Sequence, residues 1–147
     1  MAGFKFRMQK VLDIRLDKEE ESKRIFKKAQ DEKNKAEQKL NDFKNKYNKY
    51  SKIDTNCSMI EKKIRQNYCN ALYFNIGEIT TELENKVKIL DKKREELKQK
   101  QIERKTVEIL RDKQRDAYIK EQKLIEQKNN DEFALYAYIR NTKNQQL

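Results

Sequence analysis

Any chemistry in this chain has to come from a short set of side chains. Cys57 and Cys69 are its two cysteines, 12 residues apart, and there is no histidine. A structural zinc site draws on four Cys or His ligands, so two isolated thiols read as free cysteines in a reducing, cytoplasmic setting. Without histidine the usual general base is missing, and no glycine-rich loop is available to cradle a phosphate. Adjacent carboxylates such as Asp131-Glu132 lie in a stretch dense with charge, where nothing desolvates them to tune a pKa. They read as solvated surface. The expectation is a protein that is not an enzyme and uses no metal or cofactor.

The elements that carry these residues follow from composition. Among 147 residues there are two glycines and no proline, too few turn formers for a sheet fold of this length. Hydrophobic residues make up 35% and charged residues 41%, which is little apolar material for a compact core. Long helices with a narrow apolar seam fit both facts. No run of 18 apolar residues exists to span a membrane, and the amino terminus lacks the continuous apolar core of a signal peptide.

Residues 4–50 read as one amphipathic helix. A seven-residue ladder runs Met8, Arg15, Ser22, Ala29, Ala36, Phe43, Tyr50, with Leu12, Phe26, Leu40 and Tyr47 on the neighbouring column. The seam shifts by one column partway along, as a 3.6-residue helix drifts against a 3.5-residue repeat. Ser, Asp, Thr and Asn cluster at 51–57, where their side chains compete for backbone hydrogen bonds and favour a turn. Ser58 followed by Glu61 fits a capping box, so a helix restarts there. A short segment, 58–74, places Ile60, Ile64, Tyr68 and Leu72 four apart on one face. Gly77 marks a kink, a cap or a tolerated helix position.

A second long helix is expected over about 76–140. Its column reads Ile76, Leu83, Leu90, Leu97, Arg104, Arg111, Tyr118, Ile125, Glu132, Ile139. The polar break at Arg104 and Arg111 has a counterpart at Arg15 and Ser22, so it is either a wet stretch of the seam or a partner's site. The predicted fold is all-α. It is a single domain, a long antiparallel two-helix coiled-coil hairpin with a turn and short helix over about 51–75. Helices of about 47 and 65 residues would reach roughly 70–100 Å as a thin rod with both termini at one end. An assembly of extended single helices is the structural alternative.

Both ends carry more apolar residues than a two-helix seam holds. Phe43, Tyr47, Tyr50, Tyr68, Tyr73 and Phe74 fall near the bend, and exposed aromatics there suggest a docking site. At the open end, Phe4 to Arg15 and the group Phe133, Leu135, Tyr136, Tyr138, Ile139 are apolar beyond one face. The net charge of +11 invites a nucleic-acid reading. Its distribution does not support one. Residues 1–50 hold 15 basic and 9 acidic residues, 51–80 hold 4 and 3, and 81–147 hold 17 and 13, interleaved throughout.

The opening Phe4-x-Phe6-x-Met8-Gln9-Lys10-Val11-Leu12-x-x-Arg15, with Glu19-Glu20-Glu21 after it, resembles the start of the FliJ family of flagellar type III export proteins. Tyr118, Glu121, Glu126-Gln127-Lys128 and Asp131-Glu132-Phe133-Ala134 resemble its close, so the likeness covers nearly the whole chain. The resemblance implies a stalk-like coiled coil akin to the central subunit of rotary ATPases. Its terminal end would enter the hexameric flagellar export ATPase, promoting assembly and activity, and the chain would also contact the large membrane export-gate subunit. By position it implies an ATPase-ring contact at Phe4, Phe6, Val11, Arg15, Phe133 and Tyr136. It likewise implies a gate contact at Phe43, Tyr47, Tyr50, Tyr68 and Leu72, although Lys39 and Lys46 stand where polar and aromatic residues are expected. Export substrates' chaperones are further partners it implies, with no specific nucleic acid and no membrane insertion. The implied location is cytoplasmic, at the inner face of the membrane. A general escort or scaffold without ATPase coupling is the alternative function, and a basic nucleic-acid-binding hairpin the third.

Overall fold

The computed structural model describes residues 3–52 and 55–145. It is all-α, a hairpin of two long helices packed against each other: α1, Gln9–Ser51, and α2, Met59–Gln145. Ile53 and Asp54 of the expected bend lie outside the described residues.

Along α1 every third and fourth residue from Leu12 to Tyr50 is buried or half-buried, and no other residue of that stretch is. The two columns run unbroken, so the expected one-column shift does not occur. Glu19 and Lys33 fill the positions that an apolar-only ladder leaves blank. Packing against a partner holds the helix to a 3.5-residue period and removes the drift. Val11 and Ile25, apolar residues beside the two columns, are exposed.

The second helix differs more from expectation. No separate segment ends at 75: α2 is continuous from Met59 through Gly77, which has a negative φ and open space where a side chain would stand. Gly77 is a tolerated helix position, neither kink nor cap. The capping box forms as read. The Ser58 N–H donates to a Glu61 carboxylate oxygen at 3.1 Å, and the Glu61 N–H donates to Ser58 Oγ at 3.3 Å. These two bonds satisfy donors that the first turn of α2 would otherwise orphan. Ser58→Ala is expected to cost about 1 kcal/mol in urea denaturation, with faster hydrogen exchange confined to the first turn of α2.

The chain divides into two compact units, Asp17–Gln101 and Met1–Leu16 with Ile102–Leu147. Within the first, the Arg94 guanidinium lies 5.9 Å from the Phe26 ring centre, and Tyr50 meets Tyr68 edge-on at 5.1 Å. This antiparallel register puts Leu40 level with Ile79, and both are buried. Glu19, 3% exposed on the seam, has Lys23 at 3.4 Å. Lys23 titrates above the ordinary lysine value, first through its hydrogen bond to Glu20, with Glu19 adding to the effect.

In the other unit the segment before α1 runs back along α2, and Phe4 packs on Tyr118 at 5.8 Å between ring centres. Leu12, 1% exposed, and Val107 form its buried core. The polar break is a paired one. Arg15 Nη1 donates to the Glu103 carbonyl at 2.7 Å, Arg104 bonds Glu108 at 2.6 Å, and Arg111 bonds Asp112 at 3.3 Å. Seam arginines here are satisfied by acceptors on α2, which makes the break a polar stretch of the seam. Tyr118, under Phe4, is half-buried, and so is Gln122 one turn further on. The column continues to Ile125, Glu132 and Ile139, but all three are exposed. Among the described residues the two ends do not come together: α2 runs on to Gln145, 27 residues and about 40 Å past the Phe4–Tyr118 contact.

Candidate functional site

No described residues form a catalytic arrangement. No group of three or more His, Cys, Asp or Glu that could hold a metal is found among them, and none of their helices is long and apolar enough to cross a membrane. What the structure offers instead is two sets of partly exposed side chains.

The first set lies where α1 gives way to α2. Because Tyr50 is level with Tyr68, the turns of α2 from Met59 to Asn67 extend about 14 Å beyond the level of Tyr50. This explains why Ile60 and Ile64, expected to pack on one face with Tyr68 and Leu72, are exposed. No helix is left opposite them. The five residues proposed for a gate contact divide accordingly. Phe43, Tyr47 and Tyr50 are half-buried seam residues with one edge outward. Lys46 and Lys49 hold their ammonium groups 5.6 Å from the Phe43 and Tyr50 ring centres. Tyr68, 42% exposed, is open on the side away from Tyr50. Leu72 is 2% exposed: its spacing from Tyr68 suggested a shared surface, but the seam claims it. Tyr73 and Phe74 are the freest aromatics near the bend and line a shallow groove with Gly77, Glu78 and Thr81.

A cavity of about 450 Å³ opens at the same place, between the end of α1, Cys57 and one face of α2. Its lining includes Tyr47, Tyr50, Lys52, Lys62, Arg65 and both cysteines. The three cations were not singled out by sequence reasoning. The available signal was Lys62-Lys63-x-Arg65 following a glutamate already committed to the cap.

The second set lies in the unit that holds the chain's beginning. Phe4 and Phe6 are half-buried, Val11 is exposed, and Arg15 is half-buried and bonded to Glu103. A groove of about 420 Å³ between Met8, Arg15, Val107, Leu110 and Lys113 adjoins them. Phe133 and Tyr136 do not join this cluster. They stand 15 and 18 residues past Tyr118, about 22 and 27 Å along α2, on a stretch whose side chains are exposed among the described residues. There Phe133, Leu135, Tyr136, Tyr138 and Ile139 are all exposed. At 100° per residue these five occupy most of the helix circumference. A helix apolar on several sides is suited to enclosure rather than to a single groove.

The family model described as the flagellar FliJ protein matches residues 4–143. No curated protein and no solved structure matches the chain.

Proposed function

Since the chain belongs to the family of the flagellar FliJ protein, a component of flagellar type III protein export, we propose that it serves there as a non-enzymatic coupling stalk. The uncovered end of α2 inserts into the ring of the hexameric export ATPase and promotes its assembly and activity. The bend faces the membrane export gate. The protein works at the cytoplasmic face of the membrane, peripherally attached through these partners, and export substrates' chaperones meet it there.

The observation that carries this reading is the stretch 119–145, a continuous helix apolar on several sides and without a partner helix. Leaving Phe133 at 72% exposure gains nothing for an isolated chain. Enclosing five such side chains contributes about 1.5–3 kcal/mol each, which is the kind of driving force a ring lumen supplies. Phe4, Phe6, Val11 and Arg15 then lie further from the tip of α2 and contact the ring's rim. Phe43, Tyr47, Tyr50 and Tyr68 offer outward edges to the gate, with Leu72 holding the helix that presents Tyr68.

Mixing the full chain with the purified export ATPase tests the reading. ATP hydrolysis and the hexamer fraction are expected to rise together, saturating with added protein. Unchanged hydrolysis and unchanged assembly would reject the stalk and leave an escort or scaffold.

A further inference from the structure

The cavity at the bend has a chemistry of its own. Lys52, Lys62 and Arg65 line it, and among the described residues no carboxylate does. None of the three cations makes an ion pair or hydrogen bond among the described residues. The nearby Glu61 is occupied with Ser58 at the cap. The other lining groups are the Tyr47 and Tyr50 rings, the Gln66 and Asn70 amides and the two thiols. Met59, 83% exposed, precedes Lys62, Gln66 and Asn70 by 3, 7 and 11 residues and so shares their face of α2.

We propose that this cavity binds an acidic peptide segment of a partner protein, its carboxylates held by Lys52, Lys62 and Arg65 and an apolar side chain set against Met59 and Tyr50. The inference rests on the reading that the bend docks a protein, and it specifies what that protein presents. Three cations with no acidic partner among the described residues, set around one concave volume, select negative charge. The volume of about 450 Å³ exceeds what a lone carboxylate fills and lies in the range of ligand clefts. Phenol rings and a methionine beside the cations favour a chain that alternates carboxylates with apolar groups over a bare inorganic anion.

The test uses the full chain and a short fluorescein-labelled peptide alternating glutamate and leucine, read by fluorescence anisotropy. Saturable binding is expected. Lys62→Glu with Arg65→Glu should weaken it about tenfold or more, whereas Lys27→Glu with Lys28→Glu, the same change in net charge on an exposed part of α1, should shift it less than about twofold. Lys62→Gln with Arg65→Gln replaces the reversal if circular dichroism shows that the reversal disturbs the fold. Cys57 and Cys69 are the chain's two thiols and both line the cavity, so bound peptide should slow their alkylation by iodoacetamide. Equal losses in the two charge-reversal variants, alkylation rates indifferent to peptide, or full displacement by inorganic phosphate would each overturn the proposal. Stimulation of the export ATPase is measured separately. Its persistence alongside failed peptide binding rejects the acidic-peptide site and leaves the stalk intact.

Discussion

A chain ending at Tyr118 is expected to keep its hairpin and to lose stimulation of the export ATPase. Phe4 packs on Tyr118, a ring contact between the leading segment and α2. Beyond it Gln122 and Thr142 alone are even half-buried among the described residues, so truncation removes almost no packing. The melting temperature should move by no more than a few degrees, the shift that a loss of about 1 kcal/mol produces in a chain this long. Binding is affected differently. Five enclosed side chains contribute about 7–15 kcal/mol gross, and association itself costs an estimated 4–15 kcal/mol. Without the five, nothing of comparable size remains to meet that cost. Retained stimulation would move the ring contact onto Phe4, Phe6, Val11 and Arg15. Unfolding on truncation would show that 119–145 packs against the rest of the chain, contrary to its exposure.

The hairpin itself is readable from the residues because its determinants are local and periodic. Scarce Gly and Pro exclude sheets, the 3-4 spacing gives both helices, and Ser58-x-x-Glu61 marks the start of α2 through two bonds that form as the motif requires. Other features depend on what lies opposite a residue, and spacing carries no such information. Glu19 looks like surface in a run of glutamates, yet it is a buried seam position with Lys23 beside it. Leu72 and Ile60 belong to one i, i+4 series, but α1 covers one and stops short of the other. Ile125 and Ile139 continue the column of Leu90 and Leu97 past its polar break at Arg104 and Arg111, yet both are exposed. Local period determines which face is apolar. The lengths of the two arms determine how much of that face stays uncovered, and at both ends the uncovered remainder forms the candidate contact surface.

Leu72→Ala is expected to destabilise the hairpin by about 2–5 kcal/mol, the range for a fully buried leucine. With Leu12, Leu72 is one of the two largest side chains buried almost completely, and the register of Tyr50 on Tyr68 places it level with Tyr47. A thin seam has little means of closing around a lost isobutyl group, because each layer holds few side chains and the next layer is a full turn away. Against a typical total of about 5–15 kcal/mol, one such loss is large, and urea denaturation of the two proteins measures it directly. Tyr68→Ala removes a larger but 42% exposed side chain and should cost about 1–2 kcal/mol, mostly its edge-on contact with Tyr50. The two substitutions separate packing from contact. Binding to the gate should weaken in the folded Tyr68→Ala protein, whereas in Leu72→Ala it should fall only as the folded fraction falls and should recover on cooling toward the temperature of maximum stability. A Leu72→Ala protein within about 1 kcal/mol of the original would contradict the burial of that side chain. Weakened binding by a Leu72→Ala chain that is fully folded would return Leu72 to the contact surface.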